Sequence, residues 1–335
     1  EITAFETLLG CSLTLYRASE NSIDSKSIRK FACFGLWEGD VEGAVAWLLS
    51  NDNDNDNDFF ITNFGNVRIK ITDPFDDIKM LPKPFTSYGR LIVRDMCQPA
   101  NERTLMGALM PQGATSINTG RALAMLDNSK LLLFAGLVSS IVGDFYIKLK
   151  GRGHVHNSDL ESLPMPTNAV IKPEIIKRVI SLQCINNSYH CFLSELIDIA
   201  EFEGPVKNPL KRRKLQVELD VLCALDLELN REQFIQMYLI QFPVMNNYEC
   251  IDRYDLNGFR LPNTTRKDAG AKELREALID HDSVSPVTVS WEIDNGNQTV
   301  TKTFYPPFNH VDRIEDYKTA YRVFSERLGI DTSKF

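Results

Sequence analysis

Several small groups of residues have the types that chemistry uses, and each falls short of a working set. Asp73, Asp77 and Lys79 are what a metal-dependent nuclease would gather around its ion, but acidic residues before a proline also make ordinary turns. His154 and His156 alternate, which would put both rings on one face of a strand. With no third ligand nearby, a loop contacting phosphate or solvent suits them better. The Asn-Asp repeat at 51–58 offers alternating oxygens but lacks the glycine and glutamate that a calcium loop needs, so an exposed loop is expected. Tyr305-Pro306-Pro307-Phe308 comes close to the Asn/Asp-Pro-Pro-aromatic element that holds an amine for methylation. Tyrosine stands where an amide or carboxylate oxygen must accept the amine hydrogens, and a rigid turn is the expectation.

Nucleophilic catalysis finds no support either, because the five histidines stand at unrelated spacings. The seven cysteines are scattered and contain no CxxC pair, which argues against a zinc site or a disulfide framework. Reduced thiols, and hence a cytoplasmic location, are the simplest expectation.

The remaining chemistry-bearing residues are cations. Arg94 and Arg103 bracket a polar loop that contains Asn101, and Lys148, Lys150, Arg152 and His154 share a segment punctuated by Gly151 and Gly153. Such loops present charge to phosphates and to guanine edges, and glycine lets backbone N–H groups approach as well. The competing reading is structural: Arg94 and Arg103 would pair with Asp95 and Glu102 and lock a hairpin. Lys211-Arg212-Arg213-Lys214 looks like a nucleic-acid patch, but it opens an amphipathic helix, where charge runs are usually a solvated face.

Bulk composition permits this and does not demand it. The 335 residues carry a net charge of −8, distributed as −7 over residues 1–60, +4 over 61–160 and −5 over 161–335. Attraction to DNA is local, since screening confines it to about 8 Å, so a basic middle on an acidic chain can still meet phosphate. Hydrophobic content of 43% and charged content of 24% are ordinary for a globular protein. The longest apolar stretch, 131–149, is interrupted by Ser139, Ser140, Gly143 and Asp144 and reads as a buried helix, not a membrane span. The first residue is Glu1 and no signal peptide is evident, so the chain reads as a piece of something longer.

The elements that would position these residues are mixed. Val67, Ile69 and Ile71 alternate with polar neighbours, predicting a strand. Residues 91–93 and 104–110 predict an antiparallel pair with a long connection. From Leu131 onward helices dominate: one over 131–149, one from Pro173 to about Glu201, one opened by Pro209, and one capped by Asn230 with Gln233 three positions on. A hairpin is expected at 287–293 and 299–305, then a helix over 313–328. The fold class is α+β, with a strand-containing lobe at 1–165, a helical segment at 166–260 and an αβ tail at 261–335.

Four segments carry a resemblance. Arg94-Asp95-Met96 with Asn101-Glu102-Arg103-Thr104-Leu105 and Ala108-Leu109-Met110-Pro111 resembles a signature of large single-chain restriction–modification enzymes (types IIG and IIL) and phage-defence adenine methyltransferases. Phe145 to Lys148, then Gly151 to Val155, then Leu163-Pro164-Met165-Pro166 is similar to their next block. The run from Leu219-Asp220 through Asn230-Arg231-Glu232 to Gln241-Phe242-Pro243-Val244 is similar to a third block. Pro306-Pro307-Phe308 with Asp312-Arg313 and Glu315-Asp316-Tyr317 resembles the end of several members.

The four follow one another in family order and span about Tyr88 to Leu328. The resemblance implies a target-recognition region that grips double-stranded DNA through Arg94, Asn101, Arg103, Lys148, Lys150, Arg152 and His154. A methyltransferase domain upstream in the same chain would bind S-adenosylmethionine and methylate adenine at N6, while this part catalyses nothing and holds no cofactor or metal. Residues 1–85 carry little of it beyond Leu36-Trp37-Glu38-Gly39. Two alternatives stay open: a type I specificity subunit, against which the lack of an internal duplication weighs, and a scaffold for a partner nuclease or translocase.

Overall fold

The computed structural model describes residues 85–335 other than 99, 118, 126, 194–203, 280 and 283, together with the backbone of three strands nearer the start. Asp73, Asp77, Lys79, the Leu36–Gly39 element and positions 51–57 of the Asn-Asp repeat lie outside the described residues. The chain separates into two compact units, 1–89 with 112–115, and 90–111 with 116–335. In the first, β1 (Ser12–Arg17), β2 (Asp58–Ile61) and β3 (Val67–Thr72) form an antiparallel sheet in the order β1-β3-β2. The alternation at 67–71 is therefore a strand, and it is the central one.

The second unit opens with β4 (Arg90–Arg94), β5 (Gly107–Met110) and β6 (Gly120–Leu123). β4 lies between the other two and is antiparallel to both, with Val93 opposite Gly107 and Arg121. The expected pair is present. β6 was not expected, because Gly-Arg-Ala-Leu is too short and too mixed to show a period of two.

Helices α1 (Asn128–Ser139) and α2 (Ile141–Lys150) replace the single helix expected over 131–149. They meet at 67°. Ser140 makes the break: its Oγ accepts the Gly143 N–H and donates to the Leu137 carbonyl, closing one helix and capping the next. Residues 131–138 are all buried, as an apolar helix with no polar face must be. Among the described residues no single helix is long and apolar enough to cross a membrane.

α3 (Asn157–Glu161) and α4 (Lys172–Gln183) follow. α4 stops well before Glu201, because the Asn186 side chain accepts the Ser188 N–H and diverts the backbone into a 3-10 turn. After α5 (His190–Leu193) come α6 (Pro209–Asp226), α7 (Arg231–Gln241) and α8 (Pro243–Ile251). The reciprocal Asn230–Gln233 cap of α7 is as expected. β7 (Arg253–Tyr254), α9 (Ala271–Ala277), the hairpin β8 (Val287–Ile293) and β9 (Gln298–Phe304), β10 (Asn309–His310) and α10 (Arg313–Leu328) complete the chain. The class is α+β.

One hydrophobic core runs from Leu91 to Phe324 and takes in β4, β5, α1, α2, α4, α6, α7 and α10. The boundary expected at 165 therefore falls inside a continuous core. A smaller core of Leu261, Leu274, Val287, Val289 and Phe304 accounts for most of the expected tail. α10 leaves that tail and returns to the main core through Tyr317, Tyr321 and Phe324.

A buried ionic network ties these helices. Asp220 on α6 has no exposed surface, and its carboxylate accepts the Ile141 N–H, the Tyr317 hydroxyl and Arg313. Glu249 on α8 pairs with Arg313 at 3.0 Å and Arg213 at 2.6 Å. Burial alone would push the Glu249 carboxyl up, but the two guanidinium groups outweigh it and hold the group below its ordinary range. A depressed carboxyl contributes stability that is intact above the unfolded-state value and is lost as pH falls through the folded one, over roughly pH 5 to 1 for a paired acid. Glu249→Gln should lose about 3–5 kcal/mol at pH 7, as other broken buried pairs do. Its stability should also fall less steeply on acidification than the parent's; denaturant titrations at several pH values read both effects.

Candidate nucleic-acid interface

β4 does not end the local pairing. The Asp95 N–H donates to the Thr119 carbonyl, and beyond it the chain pairs with a second segment. Met96 and His154 form an antiparallel bridge, with the Cys97 N–H on the Gly153 carbonyl at 2.9 Å and the Val155 N–H on the Asp95 carbonyl at 2.8 Å. Gly151 makes this possible: its φ of 62° ends α2 in the left-handed region and turns the chain back toward β4. The glycine-punctuated loop is thereby laid alongside the strand that carries Arg94.

Asp95 organises the cations there. Its carboxylate takes His154 Nδ1 at 2.6 Å on one oxygen and Arg121 Nε at 2.7 Å on the other. Hydrogen bonds from His154 and Arg121 hold its carboxyl below the usual range. Arg121 also donates to Asn157. Arg152 reaches Asp159 at 3.2 Å yet remains half exposed, and Arg94 is exposed with the Met106 sulfur beside its Nη1. Lys150 is exposed over the Tyr146 ring at 4.8 Å. Asn101 donates to Gln98.

Two of the residues expected at a DNA surface turn inward instead. Arg103 pairs with Asp144 at 3.2 Å and also donates to the Ser139 carbonyl. Asp144 is fully buried and accepts the Thr104 and Leu105 N–H groups, so it clamps that strip of backbone onto α2. Burial raises the Asp144 carboxyl, with Arg103 opposing. Lys148 donates to the Gln241 carbonyl at 2.9 Å and lies over the Phe242 ring at 4.2 Å. Burial lowers its ammonium from the ordinary lysine value. Both are structural ties between segments far apart in the chain, which no local spacing could reveal.

The hairpin-lock partners differ from those expected. Asp95 binds Arg121 and His154, not Arg94, and Glu102 binds Arg266 at 3.1 Å, not Arg103. Arg121 was missed altogether, because β6 was. The basic run at the start of α6 divides: Arg212 and Arg213 bond inward to carbonyls and to Glu249, while Lys211 and Lys214 stay exposed. His156 stands just before α3, with its backbone N–H on Asp159. Among the described residues no group of three His, Cys, Asp or Glu could hold a metal ion. Tyr305 follows β9 as expected, with its N–H on Asp255.

Chemically this surface is cationic. It offers exposed guanidinium, ammonium and imidazole groups, with Asp95 and Asp159 tempering part of the charge. Comparison of the chain with protein-family models, with curated proteins and with solved structures finds no match.

Asp95→Asn should release the loop. It removes the negative charge from between His154 and Arg121, and the Cys97 and Val155 amides should exchange with deuterium markedly faster than in the parent. Unchanged protection of those two amides would mean that the backbone bridge stands without the carboxylate.

Proposed function

We propose that this chain is a double-stranded DNA recognition module of an adenine-specific restriction–modification methyltransferase, the family its four ordered segments resemble. Its partners would be duplex DNA and a methyltransferase domain that supplies S-adenosylmethionine and the N6 chemistry. One observation carries the reading: backbone pairing of 95–97 with 153–155 sets Arg94, Arg121, Arg152 and His154 on neighbouring backbone. A polyanion meets such a cluster favourably, releasing condensed counterions as each phosphate is neutralised. Arg103 and Lys148 serve this surface indirectly, by fixing the segments that bear it.

A second reading, a scaffold for a partner protein, draws on a groove of about 530 Å³ between α2 and α7. Val142, Phe145, Met237 and Ile240 line it, and apolar walls of that kind receive protein side chains as readily as small ligands.

Fluorescence anisotropy on a labelled duplex over a salt series separates the two. DNA recognition requires a steep fall of affinity with salt, whereas a scaffold requires none. Arg152→Ala and Arg94→Ala should each weaken binding across sequences and lower the salt slope by about 1. A salt-independent, weak association that neither substitution alters would rule out the DNA reading.

A further inference from the structure

The turn that follows β7 has a construction that the cationic loop does not account for. Tyr254 and Arg260 form an antiparallel bridge, the Asp255 N–H donates to the Phe259 carbonyl, and the Gly258 N–H donates to the Asp255 carbonyl. The result is a tight hairpin with Leu256, Asn257 and Gly258 at its tip. Gly258 has φ of 79°, and a Cβ there would come within 2.6 Å of the Asn208 Oδ1, so both its conformation and its packing demand glycine.

Further hydrogen bonds brace the tip. Asp255 is buried, with one carboxylate oxygen on the Phe259 N–H at 2.8 Å and the other on the Tyr305 N–H at 3.2 Å. The Leu256 N–H donates to the Tyr305 carbonyl, the Leu210 N–H to the Gly258 carbonyl, and Asn208 Nδ2 to the Asn257 carbonyl.

This rigid frame displays apolar groups to solvent. Leu256 is 65% exposed, Tyr305 42% and Phe259 40%. Three apolar side chains grouped at one braced turn make a patch, which is more telling than a single exposed leucine. The surrounding charge indicates what it meets. Lys302 lies over the Phe259 ring at 4.6 Å. Exposed Lys207 and Lys211 adjoin Asn208 and Leu210, the two residues that anchor the tip. The turn's own carboxylate is buried and satisfied. The turn is also joined to the candidate interface, since Glu102 pairs with Arg266, and Arg266 with Asp252 just ahead of the hairpin.

We propose that the Asp255–Phe259 hairpin is an apolar wedge that enters between stacked bases, with Leu256 as the inserted side chain and Lys207, Lys211 and Lys302 on the flanking phosphates. The inference rests on the reading of this chain as a duplex-DNA binder and adds a mechanical role to it. Leucine is among the side chains that unstack a base step at a cost of a few kcal/mol, and opening a step is what extraction of a target base requires. Preformed rigidity keeps the entropic cost of insertion low.

The test uses the full 335-residue chain and a mixed-sequence duplex bearing 2-aminopurine, whose fluorescence rises when it unstacks, with anisotropy read on the same samples. The parent protein at saturation should raise the 2-aminopurine signal several-fold. At saturating protein Leu256→Ala should abolish the rise, and Leu256→Met should retain it. Arg152→Ala should weaken binding yet give the full rise once saturated. If Leu256→Ala gives the parent's rise, or the saturated parent gives none, the wedge is overturned and DNA binding still stands. If no duplex binds even at low salt, both fall, and the patch is left to a protein partner.

Discussion

Burying a carboxylate is costly unless every lone pair finds a donor, and the second unit is organised around meeting that condition. Asp220 has no contact with solvent, yet it accepts from the start of α2, from Arg313 and from Tyr317. Those partners lie 79, 93 and 97 residues away along the chain. An acid held in this way cannot tolerate slippage of any helix it touches, because an unpaired charge in a low dielectric costs several kcal/mol. Glu249 repeats the device from α8, and Asp144 applies it to bare backbone at Thr104 and Leu105.

This constraint reaches the candidate interface directly. Asp144 fixes the strip that leads into β5, and Ser140 sets the angle at which α2 departs from α1. The end of α2 therefore arrives where Gly151 can return the chain to β4. The exposed cations occupy their places because buried acids elsewhere leave the backbone no alternative. Asp95 is the surface counterpart: it pairs with His154 and Arg121 and orders the loop while lowering its net positive charge.

Much of the architecture was legible from local pattern. α7 appears where its cap stands in the sequence, Asn230 with Gln233, and α10 spans the residues expected of it. The β8–β9 hairpin follows its turn residues, and β3 its alternation. These elements are set by interactions within a few residues. β6 and the break at Ser140 were not legible, because β6 is stabilised by its neighbour β4 and the break by a single hydroxyl. The end of α4 at Gln183 depends on one asparagine side chain competing with the helix.

By itself the sequence determined the α+β class, most element positions, the cationic character of 148–154 and the order of segments that carries the family resemblance. Tertiary structure alone decided which cations are free to act. Arg103 and Lys148 share residue type and neighbourhood with Arg94 and Lys150, yet the first pair is turned inward and the second outward. Their partners, Asp144 and the carbonyls of Ser139 and Gln241, lie far from them along the chain. A charge finds its lowest energy by its surroundings in three dimensions, and spacing along the chain does not encode those surroundings.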